Sequence, residues 1–354
     1  MTRLAGPRFL LLLAPLLLAL PAPARGACTL TYRGGPVVAR LQVVQVDWGA
    51  NPVGYADQLG AFYGAVLDSP YMDLLVQYDP PGGTQQITRG AFAGRYTITP
   101  SVTATTVDDT QVQAELAAQI AAGHLPAPQY DAQGHAVTAY MIEFPSRITI
   151  TLQGSASCQA FCSYHSSFTS GGKPILYGVH PDVGSGGCAL GCGTGAVLDN
   201  ATTVHSHNIA EVVTDPDIGN NDLAWYADGT SCGEIGDICS QQTAVLAGYT
   251  VQKEWSNQDA ACVAQPTTAV PVCDGTNAGS CRPCVAADAG QAGGCTGTKS
   301  ACDLTATSAT YGQCVAPPPA SSSHGGGGCA TGGEPVLAGL LLAGLALRRA
   351  RRRA

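Results

Sequence analysis

Positive charge is scarce in this sequence of 354 residues. Its 17 lysines and arginines face 25 aspartates and glutamates, and seven of the 17 sit at the two ends, as Arg3, Arg8, Arg348, Arg349, Arg351, Arg352 and Arg353. The body of the chain is therefore acidic and offers no basic face to a nucleic acid, which excludes that class of partner. Long apolar runs are missing too. The runs at 9–20 and 336–347 are each twelve residues long, short of the roughly 20 that a membrane-spanning helix needs. Residues 270–316 have almost no apolar side chain beyond alanine and valine. Such a segment cannot build a core and has to rely on covalent bridges. No H-E-x-x-H helix is present, and Ser166 and Ser167 beside His165 stand in no nucleophile-elbow sequence, so neither a standard zinc peptidase nor a serine triad is indicated.

The two ends read as addresses. Residues 1–24 hold Arg3 and Arg8, the apolar run FLLLLAPLLLAL and then Ala22-Pro23-Ala24, the order of a signal peptide with its A-x-A exit. Export is expected. Arg25 stands where a lipobox needs an aliphatic residue, which sets aside lipid attachment at Cys28. At the other end a Gly/Ser/Pro linker, 317–334, carries Cys329 and leads into the segment 335–354, a short apolar stretch followed by five arginines. This order resembles the MYXO-CTERM type of sorting tail. The resemblance implies removal of the tail by a sorting protease and attachment at the cell surface through Cys329; the plainer alternative is a short membrane anchor.

Fifteen cysteines in an exported chain read as a disulfide framework. Cys28, Cys158, Cys162, Cys188, Cys192, Cys232, Cys239 and Cys262 form an even set within the larger folded region. Cys273, Cys281, Cys284, Cys295, Cys302 and Cys314 crowd into a cysteine-rich module at 270–316, and Cys329 is left over. The C-x3-C spacings at 158/162 and 188/192 are compatible with zinc, but outside the cell disulfides are expected. Sequence does not say whether those pairs close locally or bridge to one another.

Between the ends, strand and helix patterns alternate. The run VVARLQVVQV and residues 89–101, 139–145, 148–152 and 175–182 have strand character. Residues 55–75 and 108–123 have helical spacing, the latter opening on acidic residues and closing at Gly123 and Pro126. An α/β domain is expected over 28–264, a single sheet with helices covering it. The segment SCQAFCSYHSSF, which carries His165, reads as a cysteine-bounded turn. Trp225, Tyr226 and Trp255 suit either sugar stacking or core packing.

The most informative stretch is TTVHSHNIAEVVTDP. On a helix it sets His207 and Glu211 one turn apart on one face, with Ile209, Val212 and Val213 opposite. Asp215-Pro216 ends the helix. Zinc helices use this spacing, and further ligands are at hand in Asp237 and Glu234, on a loop between Cys232 and Cys239, and in His165. The motif, however, is H-N-x-x-E. Asn208 occupies the place of the glutamate that activates water, and an amide cannot accept that proton. Three readings follow: a hydrogen-bonded pair fixing the helix to the Asp237 loop, zinc binding without turnover, and a zinc-dependent hydrolase.

Taken in order, LTYRGGPVV, AFYGAVLDSPYMDLL, FCSYHSSF, SHNIAEVVTDP, AWY and EIGDIC resemble the EXORDIUM, or phosphate-induced, protein family in its bacterial form. The likeness runs from about Leu30 to Cys262. It implies an extracellular or wall-associated protein and brings no established chemistry. In bacterial members the helix commonly carries H-E-x-x-E, from which Asn208 departs. The combined expectation is a surface-anchored, non-catalytic protein that binds the cell envelope or an extracellular glycan or protein.

Overall fold

The computed structural model describes residues 28–81, 85–229 and 232–267, with four short strands beyond them at 272–273, 281–282, 301–302 and 314–315. The expected signal peptide, Cys284, Cys295, Cys329 and the apolar tail lie outside the described residues.

The fold is α/β. Its central sheet has strands β1 Gln42–Trp48, β2 Ala91–Ile98, β3 Thr138–Phe144, β4 Tyr164–Ser170 and β5 Lys173–Pro181. They lie in the order β2-β1-β3-β5-β4, parallel except for the edge strand β4. Helices α1 Ala56–Leu67 and α2 Pro70–Leu75 connect β1 to β2, α3 Asp109–Ala121 connects β2 to β3, and α4 Val197–Thr214 follows β5. Asp108 caps α3 in a capping box with Gln111, so two otherwise orphaned backbone N–H groups are satisfied at once.

Helices on both faces account for the near-continuous hydrophobic runs of β1 and β3. Alternate side chains sort between two cores. Val44, Val46, Tyr140, Ile142 and Val179 pack with Val112 and Leu116 of α3. Val43, Ala139, Met141 and Leu176 pack with Leu59 and Tyr63 of α1 and Ile209 and Val213 of α4. On this second face the apolar pattern stops at the carboxyl ends of the strands. The register places Asp47 beside Glu143, and Glu143 beside His180, and all three are buried.

The structure departs from the sequence reading in three places. Val37 and Val38 are buried but precede the strand, which starts at Gln42; the Val38 N–H donates to the Val213 carbonyl and fastens the end of α4. Residues 149–152 leave the central sheet for a small one with Thr106–Asp108 and Ser155–Ala156. His165 is in no turn: it lies in β4, opposite Gly178. Polar inward side chains concealed that strand's alternation. Trp225 packs on Tyr32 and Tyr78, with ring centroids 5.5 and 5.3 Å apart, and Trp255 packs against the α1 and α4 core.

Four disulfides join Cys28 to Cys232, Cys158 to Cys188, Cys162 to Cys192 and Cys239 to Cys262. The two C-x3-C pairs therefore cross-bridge, and zinc has no claim on their sulfurs. Such bridges belong to an oxidising compartment. Among the described residues no helix is long and apolar enough to cross a membrane. Further along, Cys273 faces Cys281 and Cys302 faces Cys314 in two-residue antiparallel pairs.

The paired bridges from 158 and 162 tie the entry to β4 to the loop before α4. Replacing Cys162 and Cys192 together by alanine should lower the unfolding free energy by about 2–4 kcal/mol, measured by urea denaturation, with Cys158–Cys188 still formed.

Candidate functional site

Helix α4 presents side chains to two different layers, because successive residues turn by about 100°. His205 and His207 thus point to nearly opposite sides, whereas His207 and Glu211 share one. The helix is fixed against strand β7 Tyr249–Gln252, the partner of β6 Thr243–Leu246: Thr202 Oγ1 donates to the Thr250 carbonyl, and Ser206 Oγ accepts from the Gln252 N–H.

On the outer side, His207, Glu211 and Asp237 come together with one ligand-type atom from each inside 4.8 Å. Asp237 belongs to the short helix α5 Ile235–Ile238, held between bridged Cys232 and Cys239. This turn approaches α4 so closely that a Cβ on Gly236 would fall 2.4 Å from His207 Nδ1 and 2.9 Å from Glu211 Oε1. Glycine is what allows the loop to meet the helix here. His165 is drawn into the same group. Its Nε2 is 2.8 Å from Glu234 Oε1 and 3.9 Å from Glu211 Oε2. Gln252 and Glu254, unremarked in the sequence, complete the surroundings. Tyr71 Oη donates to Glu254 Oε1 at 2.7 Å.

Proton placement defines what this cluster can do. Burial disfavours a charged His165, yet Glu234 and Glu211 outweigh it and push its pKa up to about 9. At His207 burial is likewise overcome by Glu211, with Glu254 and Asp237, and the pKa rises to about 10. His207 Nε2 is 3.0 Å from Glu211 Oε1. Its Nδ1 lies 2.8 Å from Gln252 Nε2, an amide nitrogen held by the Gly236 carbonyl at 2.9 Å. In this orientation the amide donates and Nδ1 accepts, with the Nε2 proton facing Glu211; the charged ring, a donor at both nitrogens, requires the Gln252 amide oxygen turned toward Nδ1. A zinc ion on Nε2 would take the place of that proton and require Gln252 to turn. The geometry fits the first reading, a hydrogen-bonded pair that fixes the helix to the Asp237 loop, and it also leaves His207, Glu211 and Asp237 close enough to share a metal ion.

Asn208 has no access to this chemistry. It is fully buried, and its amide nitrogen donates to the Val204 carbonyl and Ser163 Oγ while its oxygen accepts from the His165 N–H, at 3.0, 2.6 and 2.9 Å. The residue that replaces the usual water-activating glutamate is thus a tie between α4 and β4.

Beside the cluster opens a cavity of about 540 Å³ with His207 and Asp237 in its wall. Ser163, Asp199, Thr203, Thr243, Thr250 and Gln252 add hydroxyl, carboxylate and amide groups, and among the described residues no lysine or arginine lines it. Trp225, Tyr226 and Trp255 are not part of the lining.

Because the proton on each of these two histidines is favoured by folding, both contribute stability that is complete below the unfolded pKa of about 6.5 and is lost as pH rises through about 9 to 10. Glu254, which burial pushes up to about 8, works in the same direction. The melting temperature should therefore fall between pH 6.5 and 10, and Glu234→Gln should flatten the decline; an unchanged slope in scanning calorimetry would contradict this assignment. No family model, curated protein or solved structure matches the chain, so the reading of this site stands on its geometry.

Proposed function

We propose that the protein is an exported, surface-displayed binding protein of EXORDIUM type that takes a neutral, hydroxyl-rich ligand, such as an extracellular or envelope glycan, into the cavity beside α4 without turning it over. The observation that carries this reading is the cavity wall. Its hydroxyl, amide and carboxylate groups converge with His207 and Asp237, and among the described residues no lysine or arginine lines it. A mixed set of donors and acceptors beside the apolar Phe161 and Val204 suits a sugar, which has both hydroxyls and an apolar ring face. The signal-like segment 1–24, the sorting-type tail with Cys329 and the disulfides support display outside the cytoplasm.

The absence of turnover rests on Asn208, buried in a structural tie, and on His207, whose Nε2 carries a proton. One feature favours the alternative of a zinc-dependent hydrolase: Asp237 is an exposed carboxylate within reach of His207 and has the chemistry of a general base.

A glycan array probed with the full-length secreted protein tests the proposal. Binding should persist in EDTA and weaken at least about tenfold, or 1.4 kcal/mol, in Asp237→Asn and Thr203→Val. Failure to bind any glycan, or zinc-dependent cleavage of a bound one, would overturn it.

A further inference from the structure

The inner side of α4 carries a second group of ionisable side chains, with a different character. Glu143 from β3, His180 from β5 and His205 from α4 meet beneath the helix, again with one ligand-type atom from each inside 4.8 Å. Each is at most 1 % exposed. His205 Nε2 is 3.4 Å from Glu143 Oε2, and His180 Nδ1 is 3.9 Å from Glu143 Oε1, both too long for good hydrogen bonds. Both oxygens of Glu143, both ring nitrogens of His180 and Nε2 of His205 have no hydrogen-bond partner among the described residues. Buried polar atoms are satisfied in the great majority of cases, and each exception costs about 1–3 kcal/mol. A concentration of them around one point calls for something to satisfy them together.

The orientation of the ligand atoms identifies what that is. Tyr63 Oη lies 2.7 Å from His205 Nδ1. A proton on Nδ1, donated to that hydroxyl, leaves the Nε2 lone pair directed toward Glu143. An imidazole whose other nitrogen is anchored to an oxygen is the arrangement metal-binding histidines use. The two rings lie face to face, 3.8 Å between centroids, an arrangement suited to neutral imidazoles. Gly178 leaves the space His180 occupies, since a Cβ there would stand 2.9 Å from His180 Cε1. The position in the fold also fits, at the carboxyl ends of adjacent parallel strands, where α/β sheets place their ligands.

We propose that Glu143, His180 and His205 form an enclosed site for a divalent transition-metal ion of the zinc class, bound by two imidazoles and one carboxylate. The site is separate from the glycan cavity, and its ion fastens α4 to the sheet while neutralising Glu143. One ring must swing slightly out of the stack for both to reach a single ion, since two parallel rings cannot share an in-plane ligand position.

Elemental analysis of the full-length secreted protein, prepared without metal-affinity resin and dialysed against EDTA, tests this. One equivalent of metal should remain in the wild type and in His207→Ala, and should be lost in Glu143→Gln and His205→Gln, each checked for folding by circular dichroism. Should those variants not fold, wild-type crystals measured at the metal absorption edge give the answer: an anomalous peak between Glu143 and His205 is expected. A wild type without retained metal, retention lost only in His207→Ala, or ordered water in place of the peak would overturn the proposal. None of these results alters the glycan-binding test, which is made in EDTA and through Asp237 and Thr203.

Discussion

Buried negative charge around a single helix is the constraint on which the rest depends. Glu143, Glu211, Asp215, Glu234 and Glu254 are all buried, and no lysine or arginine is among the buried residues described. A carboxylate removed from water without a partner is penalised by several kcal/mol, so it takes up a proton, pairs with an imidazole or binds a cation. The four histidines near α4 are the means of doing so. Their division is unequal: His165 and His207 meet carboxylates at 2.8 and 3.0 Å, whereas the contacts of His180 and His205 with Glu143 are 3.9 and 3.4 Å. One side of the helix is a set of close carboxylate–imidazole pairs; the other leaves Glu143, whose carboxyl burial pushes up to about 8, without a close imidazole.

The surrounding structure fixes that division. Cross-bridges from 158 and 162 pin the start of β4, so that His165 reaches Glu234. The Asp237 turn is held between two bridged cysteines and approaches the helix only because residue 236 is glycine. Beneath the helix, strand register sets Asp47, Glu143 and His180 in a row. Asp47 is answered by Arg95, whose Nε is 2.7 Å away, and among the described residues Glu143 has no such lysine or arginine partner. The difference between these adjacent carboxylates is what singles out the enclosed cluster.

Local features of the outer site were legible in the sequence. His207 and Glu211 are one helical turn apart, Asp215-Pro216 marks the helix end, and flanking cysteines pointed to the loop with Glu234 and Asp237. The α/β alternation was legible for the same reason, since periodicity is a local property. His165 was misplaced because β4 turns serine and histidine inward, and an antiparallel edge strand with polar inner residues has no hydrophobic alternation to read. Glu143, His180 and His205 were not legible at all. Each sits inside an element that reads as ordinary strand or helix, and their meeting depends on parallel register and on the pitch of α4 over the sheet. Gln252 and its control of the His207 proton depend on a hairpin packed across the helix, equally invisible to spacing.

The central claim is that α4 separates protonated from unprotonated imidazoles, and nitrogen-15 NMR of histidine-labelled protein tests it most directly. With the enclosed site stripped of metal by unfolding and refolding in chelator, His165 and His207 should titrate near 9 and 10, and His205 should stay neutral down to about 3. Four imidazoles titrating together near the ordinary value of about 6.5 would contradict the account.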